Sequence, residues 1–206
     1  MHIVVVDPSR VVLKIISGVL ASREHTVTCF TNSQQALDFV AGHETVGALI
    51  TSLKVQPIGG FELCWSARLL AQAHRSLYII AMSSAQNARN LSEALDSGAD
   101  DFISKPPVPD ELHARLRAAE RLTFMQTELI RLAETDPLTG LYNRRAFFER
   151  LHQTVRRRQP QDPLSFVMFD IDHFKAINDG YGHDVGDRTL KAGAHEVMQE
   201  ASLLAA

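Results

Sequence analysis

Five short apolar runs, separated by amphipathic stretches, restrict the first 120 residues of this chain to a narrow choice of folds. The runs are IVVV (3–6), TVTCF (26–30), GALIT (47–51), LYIIAM (77–82) and DFIS (101–104). Each is bounded and mostly β-branched or aromatic, which suits strands of a parallel sheet buried on both faces. Between them, apolar residues recur three and four apart: Val12, Ile15, Ile16, Val19 and Leu20; Ala36, Leu37 and Val40; Leu63, Ala67 and Leu70; Leu91 and Leu95. That spacing places one apolar stripe on each of four helices. Strands alternating with helices predict an α/β fold, a five-stranded doubly wound parallel sheet whose ligand site lies at the carboxyl ends of the strands.

A fifth helix is predicted from Pro109 to about Glu134, a stretch with no internal Gly or Pro. Leu112, Leu116, Ala119, Leu122, Gln126, Leu129 and Ala133 approximate a 3-4 repeat, with Gln126 interrupting the seam. A helix of about 25 residues is roughly 38 Å long, more than one small domain can cover, so it reads as a connector. After it, Pro137 and Gly140 mark a turn, and Asn143 is an N-cap for a helix with Ala146, Phe147 and Leu151 on its apolar stripe. RRRQPQDP reads as a polar loop, LSFVMFDI as a buried strand, and residues 184–200 as a further helix. The domain organisation is thus 1–118, a helical connector over 109–134, and 135–206, an incomplete α+β segment.

Charge and hydropathy exclude several function classes. With 206 residues, a formal charge of -3 and a pI near 6.3, the chain lacks the basic surplus that grips nucleic acid or an anionic membrane. No apolar stretch reaches the roughly 20 residues needed to span a bilayer, and MHIVVVD is no secretion signal. The expected location is the cytoplasm. Cys29 and Cys64 lack CxxC spacing and a nearby His, and are expected to be buried structural thiols.

The strand ends of the first domain carry Asp7, Ser52, Ser83 and Lys105. Together with VVVDPSR, LKVQPIGGFEL, IIAMSS and SGADDFISKPPVPDEL, this layout resembles the receiver domain of two-component response regulators over residues 2 to about 118. The resemblance implies an acidic pair after strand one for magnesium, an aspartate phosphoacceptor after strand three, a Ser or Thr after strand four and a Lys after strand five. This sequence departs from that pattern at the chemistry itself. Pro8 stands where the second acid belongs, Ser52 stands at the acceptor position, and no aspartate occurs between Asp38 and Asp96. A hard magnesium ion wants carboxylates, and a serine hydroxyl without a general base is a poor nucleophile. The domain therefore reads as a pseudo-receiver in which Lys105 pairs with Asp7 or is solvated. Ser83 and Phe102, which match the family's switch positions, read as packing groups.

Residues 167–187, VMFDIDHFKAINDGYGHDVGD, carry the second constellation. Carboxylates at a strand end present oxygen to a magnesium ion that bridges phosphates. An amide and a carboxylate, here Asn178 and Asp187, suit the edges of a guanine. A calcium-binding EF-hand loop fails, because its third ligand would fall on Phe174 and its glycine on Lys175. With DPLTGLYNRR, the stretch resembles the opening of GGDEF domains, the diguanylate cyclases that condense two GTP into cyclic di-GMP. The resemblance implies that Asp170, the Ile171 carbonyl and Asp172 hold Mg2+, with Asp172 alternatively capping the next helix. It further implies that Phe174 and Lys175 line GTP while Asn178 and Asp187 read the base. The Gly-Gly-Asp/Glu-Glu-Phe hairpin and the later phosphate-holding Lys and Arg have no counterpart up to Ala206. No catalytic set is complete, and the chain by itself is expected to be inactive.

Two functional expectations follow. The first is a response-regulator diguanylate cyclase, homodimeric through receiver and connector helix. The alternative is a non-catalytic module that dimerises with, and regulates, a full-length partner.

Overall fold

The computed structural model describes residues 1–204 except 24, 72–74, 85–87, 160 and 162. It divides into two compact units, Met1–Ile130 and Arg131–Ala206. In the first, strands β1 (His2–Val6), β2 (Thr26–Phe30), β3 (Val46–Ser52), β4 (Tyr78–Ser83) and β5 (Asp101–Ser104) form one sheet in the order β2-β1-β3-β4-β5. Every pairing is parallel. The helices are α1 (Arg10–Ala21), α2 (Ser33–Gly42), α3 (Gly60–Leu70), α4 (Ala88–Asp96) and α5 (Pro109–Glu134).

Successive strand residues point to opposite faces, so both faces need an apolar cover. Ile3, Val5, Ile50 and Met82 pack with Leu13, Ile16 and Leu20 of α1 and Leu112, Leu116 and Ala119 of α5. Val4, Val6, Leu49 and Ile79 pack with Val40 of α2, Leu63 and Ala67 of α3 and Ala94 of α4. Burying each large aliphatic side chain contributes about 1.5–3 kcal/mol, which is why the strands tolerate almost no polar residue before their ends. The strand order reverses at β1, and the crevice at this switch point is where the ends of β1 and β3 bring Asp7 and Ser52 together.

Helix starts follow ordinary capping chemistry. The Ser9 and Asn32 side chains accept from Val12 N and Gln35 N at the heads of α1 and α2. The expected stripe of α4 is corrected: Leu91 and Leu95 are 42% and 44% exposed, and the small Ala94 is the residue that enters the core. Of the two thiols Cys64 is buried, but Cys29 is exposed on β2, which lies at the edge of the sheet.

The long helix changes character along its length. Leu112, Leu116, Ala119 and Thr123 are buried, whereas Leu122, Met125, Leu129 and Leu132 are 46–65% exposed. The seam expected from the sequence is therefore two stripes, one spent on the domain's own core and one left open from Leu122 onward.

The second unit contains α6 (Arg144–Arg157), α7 (Phe174–Tyr181) and α8 (His183–Leu204). Asn143 caps α6 as expected, its side chain accepting from Ala146 N at 3.0 Å. The expected buried strand over LSFVMFDI is not formed: residues 163–171 are irregular, with Val167 76% and Met168 82% exposed. A strand exists only with a neighbour to take its backbone hydrogen bonds, and no strand lies among the described residues of this unit.

Candidate functional site

At the end of β1 the Asp7 carboxylate is 1% exposed, and both its oxygens are engaged. Oδ1 accepts from Ser9 N at 2.8 Å, and Oδ2 is ion-paired with the Lys105 ammonium. Lys105 also donates to Ser52 Oγ at 2.6 Å, and Ser52 Oγ accepts from Lys54 N at 3.1 Å. The lysine is positioned by its own backbone, Lys105 N donating to the Ser83 carbonyl at 3.0 Å, immediately before a cis peptide to Pro106. Ser83 is buried at the end of β4, and half-buried Phe102 packs on the core face that carries α2, α3 and α4. Pro8 is exposed.

Gly60 explains how Ser52 is held. A Cβ there would lie 2.4 Å from Leu53 Cα and 2.5 Å from the Ser52 carbonyl oxygen, so the head of α3 reaches the β3 end only as glycine. Chemically the pocket is closed on itself. One carboxylate, one ammonium and one hydroxyl satisfy one another.

The second constellation is built on a helical corner. Asp170, Ile171 and Asp172 form the turn before α7; Asp170 Oδ1 accepts from Ile171 N at 2.9 Å, and the Ile171 carbonyl accepts from Phe174 N at 3.3 Å. His173, the N-cap, has φ 57° and makes no side-chain cap bond. A left-handed non-glycine residue is uncommon, and here it stands between the acids and the first turn of α7. Asp172 does not cap α7, because that place belongs to His173. Ile171 rests on α8, its Cδ1 3.9 Å from where a Cβ of Gly193 would be.

Gly182, with φ 84°, turns α7 into α8, and its N–H donates to the Asn178 carbonyl at 2.9 Å. The corner folds Asn178 onto α8 at Gly186, the residue before Asp187: a Cβ at Gly186 would lie 1.9 Å from Asn178 Oδ1. Asn178 is half-buried, while Asp170, Asp172, Lys175 and Asp187 are exposed and Phe174 is partly covered. Among the described residues no three His, Cys, Asp or Glu side chains converge as a metal site. The oxygen donors at 170–172 suit a hard cation that takes its remaining ligands from phosphate.

The DPLTGLYNRR stretch is a joint rather than a plain turn. The Asp136 carboxylate accepts from Leu138 N, Thr139 N and Thr139 Oγ1 at 2.8–3.1 Å, and the Thr139 backbone bond foremost holds its pKa below the usual carboxylate range. Asn143 works in both directions, donating through Nδ2 to the Ala133 carbonyl at 2.8 Å while capping α6. Arg150 pairs with buried Glu134 at 3.0 Å and lies over the Tyr142 ring at 4.2 Å. The sequence reading missed this joint, and it missed Gly186. A glycine inside a predicted helix was the available signal for the latter.

Comparison with known proteins accords with these two constellations. Residues 3–117 match the response regulator receiver domain and residues 133–202 match the diguanylate cyclase GGDEF domain. The response regulator PleD of Caulobacter vibrioides is 39% identical over 125 residues, covering 57% of this chain and 28% of the relative. The diguanylate cyclase DgcP of Pseudomonas aeruginosa is 53% identical over 68 residues, 32% of this chain and 10% of that protein. The chain thus spans less than a third of either relative. A receiver domain from an HD-domain protein of Pseudomonas fluorescens superposes with a TM-score of 0.57 at 21% identity, over 62% of this chain and 91% of that one, a likeness of fold. The chain belongs to the response-regulator receiver family over its first domain, and a GGDEF diguanylate cyclase segment follows it.

Proposed function

We propose that this chain is the regulatory and guanine-reading portion of a response-regulator diguanylate cyclase, working in the cytoplasm, with a receiver that no longer accepts phosphate. The observation that carries the reading is the α7–α8 corner, which seats the Asn178 amide against Gly186 next to Asp187. An amide and a carboxylate match the N3/N2 edge and the N1/N2 hydrogens of guanine. Phe174 and Lys175 line the nucleotide. Asp170, Asp172 and the Ile171 carbonyl would hold Mg2+, which when bound neutralises and orients the phosphates. The pseudo-receiver reading is supported by the Asp7–Lys105–Ser52 network, which leaves neither a free carboxylate nor an activated hydroxyl. No Gly-Gly-Asp/Glu-Glu-Phe motif occurs in the 206 residues, and the residues present are assigned GTP recognition.

Dimerisation belongs to the same reading. Leu122, Met125, Leu129 and Leu132 are spaced 3-4-3 and exposed, the pattern of a coiled-coil seam. This stripe is also what favours the alternative, a non-catalytic module that pairs with a full-length partner. The test is calorimetric titration of GTP with magnesium into the chain and into Asp187→Ala. Binding by the chain that the variant loses is the expected result. Binding by neither would overturn guanine recognition and leave the dimerisation module. Incubation with acetyl phosphate followed by intact-mass measurement tests the receiver separately, and a phosphate adduct would refute its loss of function.

A further inference from the structure

Gly186 is the fourth residue of α8, a place where glycine is less favourable than alanine because it has more freedom to lose. Its conformation does not require glycine. The described glycines with positive φ are Gly98, Gly140 and Gly182, and Gly186 donates to the Gly182 carbonyl as any residue in a helix could. The need is for space. The three atoms nearest to a Cβ built there are Oδ1, Cγ and Nδ2 of Asn178, at 1.9, 3.0 and 3.4 Å. The whole carboxamide of Asn178 therefore lies on the bare backbone of Gly186, one residue before Asp187.

We infer that Gly186 is a positioning residue for base recognition: its missing side chain is the seat that holds the Asn178 amide in line with the Asp187 carboxylate. The inference rests on the guanine reading above and adds to it the element that fixes the geometry of the pair. The obstructing atoms are the far end of a flexible side chain, so an alanine at 186 would push the amide aside without moving backbone. Recognition and stability should then respond in opposite directions. A glycine kept for helix packing would instead lose both together.

The experiment uses the full chain and its Gly186→Ala, Asn178→Ala and doubly substituted forms. Each is titrated with magnesium and GTP, with ATP as comparison, and amide exchange across residues 183–197 is followed without nucleotide. Gly186→Ala should weaken GTP about tenfold, the worth of one good hydrogen bond, with exchange in α8 unchanged or slower. In the Asn178→Ala background the same substitution should change GTP affinity less than about twofold, because the clash is gone. Equal losses in both backgrounds, or faster exchange in Gly186→Ala, would overturn the positioning role while leaving guanine recognition standing. A parent chain that binds GTP no better than ATP would sink the guanine reading, and the assignment of Gly186 with it.

Discussion

Removing Lys105 tests whether the receiver pocket is held together by its own charges. In Lys105→Met the aliphatic stem is kept and the ammonium is lost, leaving the Asp7 carboxylate, 1% exposed, with only the Ser9 N–H as a partner. Breaking a buried pair by deleting one member costs about 3–5 kcal/mol, and the 15% exposure of the lysine side chain favours the lower end, about 3 kcal/mol. Asp7→Asn should cost less, about 1–2 kcal/mol. The amide oxygen still accepts from Ser9 N, and the long lysine can reach out to water. The double variant should be less destabilised than the two single losses added, with a coupling of about 1–3 kcal/mol. Urea unfolding read by fluorescence is the assay. Trp65 on α3 is the single tryptophan and reports on the unit that contains the pocket. A loss below about 1 kcal/mol in Lys105→Met, or a larger loss in Asp7→Asn, would refute the reasoning.

Three further outcomes follow from the same geometry. Gly60→Ala should cost about 1–3 kcal/mol or more by urea unfolding, since the new methyl meets backbone at 2.4 Å rather than a movable side chain. Burial pushes the Cys64 thiol up to about 12, so a thiol reagent at mildly alkaline pH should label exposed Cys29 in the folded chain and Cys64 only after unfolding. The His25 pKa is lowered, by desolvation first, with Glu120 at 3.7 Å opposing the shift and the amino terminus, His113 and Arg23 adding to it. Its neutral form is favoured by folding, so its contribution is full above the unfolded value of about 6.5 and is lost as pH falls below it, and His25→Gln should flatten that acid-side slope in pH-dependent melting.

The first domain was legible in the sequence because its signals are local and mutually consistent. Each strand is a short β-branched run, and DFIS and TVTCF mark the bounds of β5 and β2. Lys105 is expected from the receiver resemblance either to pair with Asp7 or to be solvated, and the ion pair is what forms. What pattern could not give was which apolar residues stay exposed. Leu91 and Leu95 have the spacing of a buried stripe, yet on α4 it is Ala94 that is buried while both leucines stay more than two-fifths exposed. Cys29 escaped for a related reason, as burial of a strand residue depends on whether the strand is an edge, which is a property of sheet order rather than of the strand itself.

The second unit divides along the same line between local and non-local cause. Asn143, the α7–α8 corner and the Asp136 turn are fixed by hydrogen bonds within a few residues, and they form as their residue types require. LSFVMFDI is the opposite case. Its β-branched and aromatic residues are suited to a strand, but suitability is not structure, because the N–H and C=O groups of a central strand must all be met from its neighbouring strands. With none among the described residues of this unit, the run lies irregular and its Phe166, Val167, Met168 and Phe169 are 57–82% exposed. Asp170 lies at the end of that run and Asp172 just beyond it, where Ile171 rests on α8 and the left-handed His173 leads into α7. The α7–α8 corner is therefore the better organised part of the candidate site. Asn178 owes its place on Gly186 to the tight turn from α7 into α8, whereas strand pairing would have to come from outside this run.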